Sequence, residues 1–183
     1  MKKTEASIFA YKGVIPKIEE TAFVAHGACI VGDVHLGENV NIWFNAVLRG
    51  DVNYIRIGEN TNIQDGAICH VTTDKFPLIV GKDVTVGHGA ILHGCTIEDA
   101  CLIGMGAIIM DDAVVEKGAI VAAGAVVTPR TVVKQGEVWA GAPAEKMRDI
   151  KTQEAEYLLW SAPHYVKLAK TYQQSDVHKL ASV

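Results

Sequence analysis

The chain has 183 residues, of which 49% are hydrophobic and 21% charged, with a formal net charge of −4. This size predicts one globular domain, and the acidic balance without a basic block argues against a nucleic-acid partner. Apolar runs stay short of the ~18 residues of a membrane span, and polar residues interrupt the N-terminus, so neither a membrane anchor nor a signal peptide is expected. The four cysteines lack paired spacing, and we expect reduced thiols in a cytoplasmic protein.

The dominant pattern along the chain is an aliphatic residue at every sixth position. The first run contains Val24, Ile30, Leu36, Ile42 and Leu48. After a short slip the pattern resumes at Ile57, Ile63 and Cys69, and after an insertion over about 70–78 it resumes at Val80, Val86 and Leu92. From Ile97 to Val133 the spacing of six is unbroken. An amphipathic helix needs apolar residues every three to four positions, so this period excludes a helix.

A period of six predicts flat strand segments separated by corners, with one residue in six pointing fully inward. Three such sides close a coil of ~18 residues, and successive coils stack at ~4.8 Å as a triangular prism. The predicted coils are Ile42/Leu48/Tyr54, Ile57/Ile63/Cys69 and Val80/Val86/Leu92, whose members occupy the first, second and third sides of the prism. The alternative is a β-sandwich with a chance period, which the unbroken run to Val133 disfavours.

The repeat ends at Trp139-Ala-Gly-Ala-Pro143, so the predicted organisation is a β-helix over residues 13–143 and a helical segment over 144–175. Composition becomes helical from about Ala144. Pro163 is expected to break or restart the helix, with Ser161 as its N-cap. Beyond the proline, an amphipathic stripe that includes Tyr165 is expected to pack along the prism.

Three histidines fall beside the insertion in the repeat. His70 follows Cys69 and His93 follows Leu92, so both are predicted at the same place on the third side of successive coils. Stacked at ~5 Å, their imidazoles can face one metal ion. The alternative is a solvated ladder of two surface histidines.

His88 is predicted on the second side, because it follows Val86 by two residues. Donor atoms around one zinc ion lie ~3.5 Å apart, whereas the five-residue stretch from His88 to His93 can span up to ~17 Å. We therefore expect the partner of His70 and His93 to be the His88 of a neighbouring subunit. This geometry predicts a trimer with three shared metal sites.

Further polar residues are predicted on the second side with His88. Arg49 follows Leu48, and Gln64 and Asp65 follow Ile63, so these three are expected to line one interface against the His70/His93 side of the next subunit. Asp51 lies three residues past Leu48. An arginine and two carboxylates at such an interface can form charge-assisted pairs between subunits.

The motifs that carry these residues stand together: Arg49-Gly-Asp51, Asn62-Ile-Gln64-Asp65, His70, and the run from Val86-Gly-His88 to His93-Gly. This joint pattern resembles the gamma-class carbonic anhydrases and their bacterial relatives, from about Gly13 to the C-terminal helix. The resemblance implies a mainly β fold: a left-handed parallel β-helix of hexapeptide repeats with a C-terminal α-helix, assembled as a homotrimer. General crossover rules favour the right hand, so the left hand rests on the resemblance alone.

The resemblance also implies a metal site and a reaction. Zinc, or iron or cobalt in some members, would be held by His70, His93 and, across the interface, His88. Zinc-bound hydroxide would hydrate carbon dioxide to bicarbonate. The implied catalytic residues are Gln64, which orients the hydroxide, the neighbouring Asn62, and Tyr165 of the C-terminal helix. The implied interface and supporting residues are Arg49, Asp51 and Asp65.

The best-studied gamma-class type carries glutamates that shuttle protons, and this chain differs from it at those positions. Val52 follows Asp51, and the loop over residues 71–77 after His70 is short, with Asp74 as the candidate replacement. Short-loop relatives include some linked to thioester hydrolysis, so an acyl-CoA hydrolase on the same site is one alternative. The others are a hexapeptide-repeat acyltransferase with a single histidine base and a metal-binding protein without turnover.

Overall fold

The structure is a computed structural model that describes residues 6–175. It is mainly β, and the predicted parallel β-solenoid with one C-terminal helix is confirmed. In chain order the strands are β1 (Ser7–Phe9), β2 (Lys17–Ile18), β3 (Phe23–Val24), β4 (Cys29–Leu36), β5 (Asn41–Ile42), β6 (Val47–Ile57), β7 (Asn62–Ile63), β8 (Ile68–His70), β9 (Leu78–Val80), β10 (Thr85–Val86), β11 (Ile91–His93), β12 (Thr96–Ile97), β13 (Leu102–Ile103), β14 (Ile108–Ile109), β15 (Val114–Val115), β16 (Ile120–Val121), β17 (Val126–Val127), β18 (Val132–Val133), β19 (Glu137–Gly141) and β20 (Ala144–Asp149). Helix α1 follows over Thr152–Gln174.

The strands stack in three columns, which are the three sides of the prism. The first side contains the C-terminal part of β6 and then β9, β12, β15 and β18. The second side runs from β3 through β5, β7, β10, β13 and β16 to β19. The third side contains the N-terminal part of β6 and then β8, β11, β14 and β17. Every pairing in these columns is parallel, so residues one coil apart lie directly above one another.

The six-residue period sets the core. Ile63, Leu92 and Ile103 have no exposed surface, and they stack on the equivalent inward residues of the coils above and below. Burying such a side chain contributes ~1.5–3 kcal/mol, which a two-residue strand could not obtain alone. Burial also raises the pKa of the Cys69 thiol to about 12, so this cysteine is a neutral core residue.

The corners of the prism contain residues that tolerate the left-handed backbone conformation, in which φ is positive. Asn39, Asn60 and Asp83 have φ of 54°, 58° and 56° at the same corner of successive coils. Their side chains form a ladder, in which Asn39 Nδ2 donates to Asn60 Oδ1 at 3.2 Å and Asn60 Nδ2 donates to Asp83 Oδ1 at 2.9 Å. Asparagine and aspartate therefore both permit the turn and fix its height.

The predicted coil Ile42/Leu48/Tyr54 is wrong, because Leu48 lies on the third side of the prism and not on the second. Leu48 pairs with Cys69 on the third side, and Arg49 therefore lies in the column of His70, not beside Gln64 and Asp65. The reason is a bulge within β6: Gly32 pairs with Gly50 but Val34 pairs with Ile55, so residues 51–54 protrude. Tyr54 is accordingly exposed, and Ile55 takes the inward position.

The C-terminal segment also differs from the prediction. Residues Ala144–Asp149 form a strand antiparallel to β19 instead of starting a helix, because hydrogen bonding to an open sheet edge outweighs helical composition. Pro163 lies inside a continuous α1, and Ser161 is a buried residue of that helix, not its N-cap. Packing of α1 on both sides of the proline, through Leu158 and Ala169, offsets the lost backbone hydrogen bond. In the part of the chain that the structure describes, α1 is not apolar enough to cross a bilayer.

Candidate functional site

The third side carries a pair of facing imidazoles. His70 and His93 are register partners at the ends of β8 and β11, as predicted. Their ring centroids lie 5.1 Å apart, and the rings tilt by 58° so that His70 Nδ1 faces His93 Nε2 at 3.1 Å. Nitrogens bound to one tetrahedral zinc ion lie ~3.4 Å apart, so the pair has nearly the spacing of two ligands to one ion.

Each of these rings uses its other nitrogen to contact a carboxylate. His70 Nε2 lies 3.1 Å from Asp51 Oδ1, and His93 Nδ1 lies 2.6 Å from Asp111 Oδ1. When both carboxylates accept an N–H, the two facing nitrogens present lone pairs to each other at 3.1 Å, which a bound cation relieves. Carboxylate–histidine pairs of this kind fix ring tautomer and orientation at metal sites, so these residues fit a metal ion.

Arg49 completes the group around Asp51. Arg49 Nη1 donates to Asp51 Oδ2 at 2.5 Å, and the guanidinium is nearly half exposed. Burial opposes ionisation of Asp51, but the hydrogen bonds from Arg49 and His70 outweigh it and hold the pKa of this carboxyl below its usual range. Burial also lowers the pKa of His70, which keeps the imidazole neutral and able to bind a metal.

His88 lies on a different side of the prism, as predicted. It follows β10 on the second side, where its Nδ1 contacts Asp65 Oδ2 at 2.7 Å and nearly half of its side chain is exposed. Asp65 thereby leaves Nε2 of His88 as the nitrogen available to a metal ion. Within residues 6–175, the His, Cys, Asp and Glu side chains form no group of three or more that could hold an ion. One chain thus brings together His70 and His93 but not His88.

Gln64 and Asn62 belong to a buried polar network on the second side. Gln64 Nε2 donates to Asn62 Oδ1 at 3.1 Å, and Asn62 Nδ2 donates to Thr85 Oγ1 at 3.0 Å. The Thr85 hydroxyl in turn hydrogen-bonds Ser161 Oγ of α1 at 2.8 Å. Asn62 has no exposed surface, so its side chain orients Gln64 and does not itself meet solvent.

Tyr165 reaches this network from α1. Its ring packs edge-on against Trp43 at 5.7 Å between centroids, and its hydroxyl hydrogen-bonds the side chain of Gln64. Burial raises the pKa of Tyr165, with smaller contributions from Tyr157 and Asp65. Gln64, Asn62 and Tyr165 are therefore brought together on the second side, apart from the His70/His93 pair of the same chain.

Sequence reasoning missed Asp111, Thr85 and Ser161. Asp111 follows His93 by 18 residues, one more than the 17 that separate the register partners Leu92 and Ile109, so a search of the neighbouring positions one coil beyond each candidate ligand would have found it. Thr85 follows Asn62 by one coil in the same way and is its register partner. Ser161 gave no such signal, because its contact depends on how α1 docks on the prism.

Comparison with known proteins gives relatives over most of the chain. A family model for the bacterial transferase hexapeptide, which covers six repeats, matches residues 94–129. The chain is 46% identical to a probable carbonic anhydrase of Methanocaldococcus jannaschii, over 85% of this chain and 98% of that protein. It is 44% identical to mitochondrial gamma carbonic anhydrase 1 of Arabidopsis thaliana, over 90% of this chain. The chain spans only 62% of that plant protein.

A solved structure gives the same relationship. The chain superimposes on a hexapeptide transferase family protein from Anaplasma phagocytophilum with a TM-score of 0.88 and 45% sequence identity. The match covers 91% of this chain and 98% of the Anaplasma chain. The fold is therefore shared by a protein of similar length.

Proposed function

Because the chain belongs to the gamma carbonic anhydrase family, we propose that it is a metal-dependent enzyme that hydrates carbon dioxide to bicarbonate. The observation that carries this proposal is the His70–His93 pair, whose facing nitrogens lie 3.1 Å apart while both outer nitrogens contact carboxylates. A purely structural pair of surface histidines has no need of converging lone pairs. The Methanocaldococcus relative, described as a probable carbonic anhydrase, matches over nearly its whole length and supports the same reaction here.

The proposed assembly is a homotrimer in which the neighbouring subunit supplies His88. His70 and His93 stand on the third side and His88 on the second, so two different sides must meet around an axis to complete one site. In this arrangement each imidazole keeps its own carboxylate: Asp51 for His70, Asp111 for His93 and Asp65 for His88. The exposed guanidinium of Arg49 lies in the same column and would pair with the neighbouring subunit.

Zinc is the proposed ion, with iron or cobalt as substitutes, because three neutral imidazoles suit all three metals. When bound, the ion would act as a Lewis acid that makes water a nucleophile at neutral pH. Gln64 is the residue proposed to orient that nucleophile. Its amide nitrogen donates one hydrogen bond to Asn62, and its Oε1 is the atom proposed to accept a hydrogen bond from that nucleophile.

The proposed route for proton export is the protein surface around β6. A cleft of about 280 Å³ is lined by Asp51, Val52, Tyr54 and Asp74 among others. Asp74 N also contacts Val52 O at 3.4 Å, so the short loop after His70 closes against the bulge that carries Asp51. Asp74 is therefore the proposed proton acceptor in place of the glutamates of the best-studied gamma-class type.

Stopped-flow hydration of carbon dioxide by the zinc-loaded protein tests the proposal. We expect activity that His93→Ala abolishes together with bound zinc. His35→Ala is the matched control, because His35 also contacts a carboxylate, Asp33, but lies away from the pair. A zinc-loaded protein that hydrates carbon dioxide no faster than buffer would refute the proposal.

A second candidate is hydrolysis of an acyl-CoA thioester at the same residues. Val52 and the short loop favour it, because fast hydration needs rapid proton export on every turnover whereas slower hydrolysis does not. Acyl transfer with a single histidine base is less well supported, since two carboxylate-anchored imidazoles exceed what one base requires. Acyl-CoA hydrolysis measured beside carbon dioxide hydration, on one zinc-loaded preparation, separates the two reactions.

A further inference from the structure

We propose that Asp111, held in place by Thr72, is a positioning residue that fixes the tautomer and orientation of His93. Asp111 Oδ1 lies 2.6 Å from His93 Nδ1 and accepts a second hydrogen bond, at 2.9 Å, from the Thr72 hydroxyl. Two donors converge on one oxygen from separate parts of the chain. The inference rests on the proposed function, because His93 needs a fixed orientation only if it binds an ion.

Local backbone geometry makes room for this contact. Gly94 follows His93 with φ of +54°, and a Cβ at this position would lie 2.6 Å from Asp111 Oδ1. The same Cβ would lie 2.9 Å from Cβ of Phe76. A side chain at residue 94 would therefore displace either the carboxylate or the loop, and glycine is required here for both reasons.

Thr72 is itself held on two sides. Its backbone N–H donates to Phe76 O at 2.9 Å, and its carbonyl accepts a hydrogen bond from Asn53 Nδ2 at 3.1 Å. The loop over residues 71–77 is thus closed on itself and tied to the bulge of β6. The Thr72 hydroxyl donates a hydrogen bond to Asp111, which lies 39 positions later in the sequence. The loop that follows His70 therefore also supports His93.

Asp111 differs from Asp51 in what it contacts besides a histidine. Asp51 also accepts a hydrogen bond from the Arg49 guanidinium, so the negative charge of this carboxylate is shared between Arg49 and His70. The additional donor to Asp111 is instead the neutral hydroxyl of Thr72. The acceptor strength of Asp111 therefore remains available to His93. An N–H fixed at Nδ1 leaves Nε2 of His93 as the unprotonated nitrogen that faces His70.

The test compares zinc affinity among Asp111→Asn, Thr72→Val and Thr72→Ser, measured on the full-length protein by competition with a chelating indicator. Removing the partner of a ligating histidine costs 10–100-fold in metal affinity. We expect a loss in this range for Asp111→Asn, a smaller loss for Thr72→Val, and affinity close to wild type for Thr72→Ser. Asp112→Asn is the matched control, since it removes the same charge one residue away, where φ of 57° suits asparagine.

Nitrogen-15 NMR of the metal-free protein supplies a second measurement. In the wild type we expect His93 to carry its proton on Nδ1, and in Asp111→Asn a mixture of the two tautomers. Wild-type zinc affinity and an unchanged His93 tautomer in Asp111→Asn would overturn the inference. A wild-type protein that binds no zinc would count against the proposed function alone, because the tautomer measurement still tests Asp111.

Discussion

The proposed sharing of each metal site between subunits can be tested by mixing two variants that each lack one proposed metal ligand. His88→Ala removes a residue of the second side, and His93→Ala removes one of the third side. In the proposed trimer, each variant alone leaves every shared site without one imidazole. In mixed trimers, a His88→Ala subunit still offers an intact His70/His93 pair, and a neighbouring His93→Ala subunit still offers His88.

The expected restoration follows from counting sites. A site is intact only where the subunit that supplies the pair is His88→Ala and the neighbour that supplies His88 is His93→Ala. Each condition holds for half of the subunits in an equal random mixture, so about a quarter of the sites are restored. This corresponds to roughly 0.75 zinc ions per trimer, against three in the wild type. If all three histidines of a site came from one chain, mixing the two variants would restore no zinc binding.

The assay is metal content per trimer after the two variants are unfolded together, refolded and separated from free zinc. The control mixture is His70→Ala with His93→Ala. These two residues are register partners on the same side, so no neighbour can replace either of them and no restoration is expected. Restoration in the control mixture, or its absence when His88→Ala and His93→Ala are combined, would contradict the assignment of the three histidines to two subunits.

Three further predictions concern assembly and stability. Arg49→Ala should weaken the proposed trimer, because it removes an exposed guanidinium from the side that carries His70 and His93; unchanged sedimentation would refute this. Thr85→Val should lower the free energy of unfolding by ~1–3 kcal/mol, since buried Asn62 loses its acceptor, and chemical denaturation measures it. Glu154→Gln should remove pH-dependent stability, because the Arg148 guanidinium lowers the pKa of Glu154 to about 2. That contribution is present above pH ~4.5 and lost towards pH 2, and it amounts to less than ~1 kcal/mol because the pair is solvent-exposed.

The sequence predicted the prism and the stacked histidines because both depend on local period alone. One inward aliphatic residue in every six fixes which side each position occupies, as the pairing of Leu92 with Cys69 confirms. The same count placed His70, His93 and His88 on their correct sides. It failed at Arg49 and Tyr54, where residues 51–54 bulge out and a period cannot tell a protruding loop from a short extra side.

The remaining differences arise from contacts between distant parts of the chain. The strand Ala144–Asp149 has helical composition, but it pairs with β19, which the solenoid leaves with a free edge. Pro163 remains inside α1 because the helix packs on the second side both before and after it. Gln64 was predicted from a motif, but its anchoring through Asn62, Thr85 and Ser161 depends on where α1 docks. Such contacts leave no periodic trace in the sequence.

The solenoid repeat by itself does not give metal-binding geometry. Stacked strands separate equivalent residues by ~4.8 Å, whereas nitrogens bound to one ion lie ~3.4 Å apart. The ring planes of His70 and His93 lie at 58° to each other, and this arrangement brings His70 Nδ1 within 3.1 Å of His93 Nε2. Asp51 contacts His70 from the coil above and Asp111 contacts His93 from the coil below, so the carboxylates bracket the pair and hold both outer nitrogens. The bulge of β6 and the glycine after His93 admit these two carboxylates, so the contacts that orient the two imidazoles depend on departures from the regular repeat.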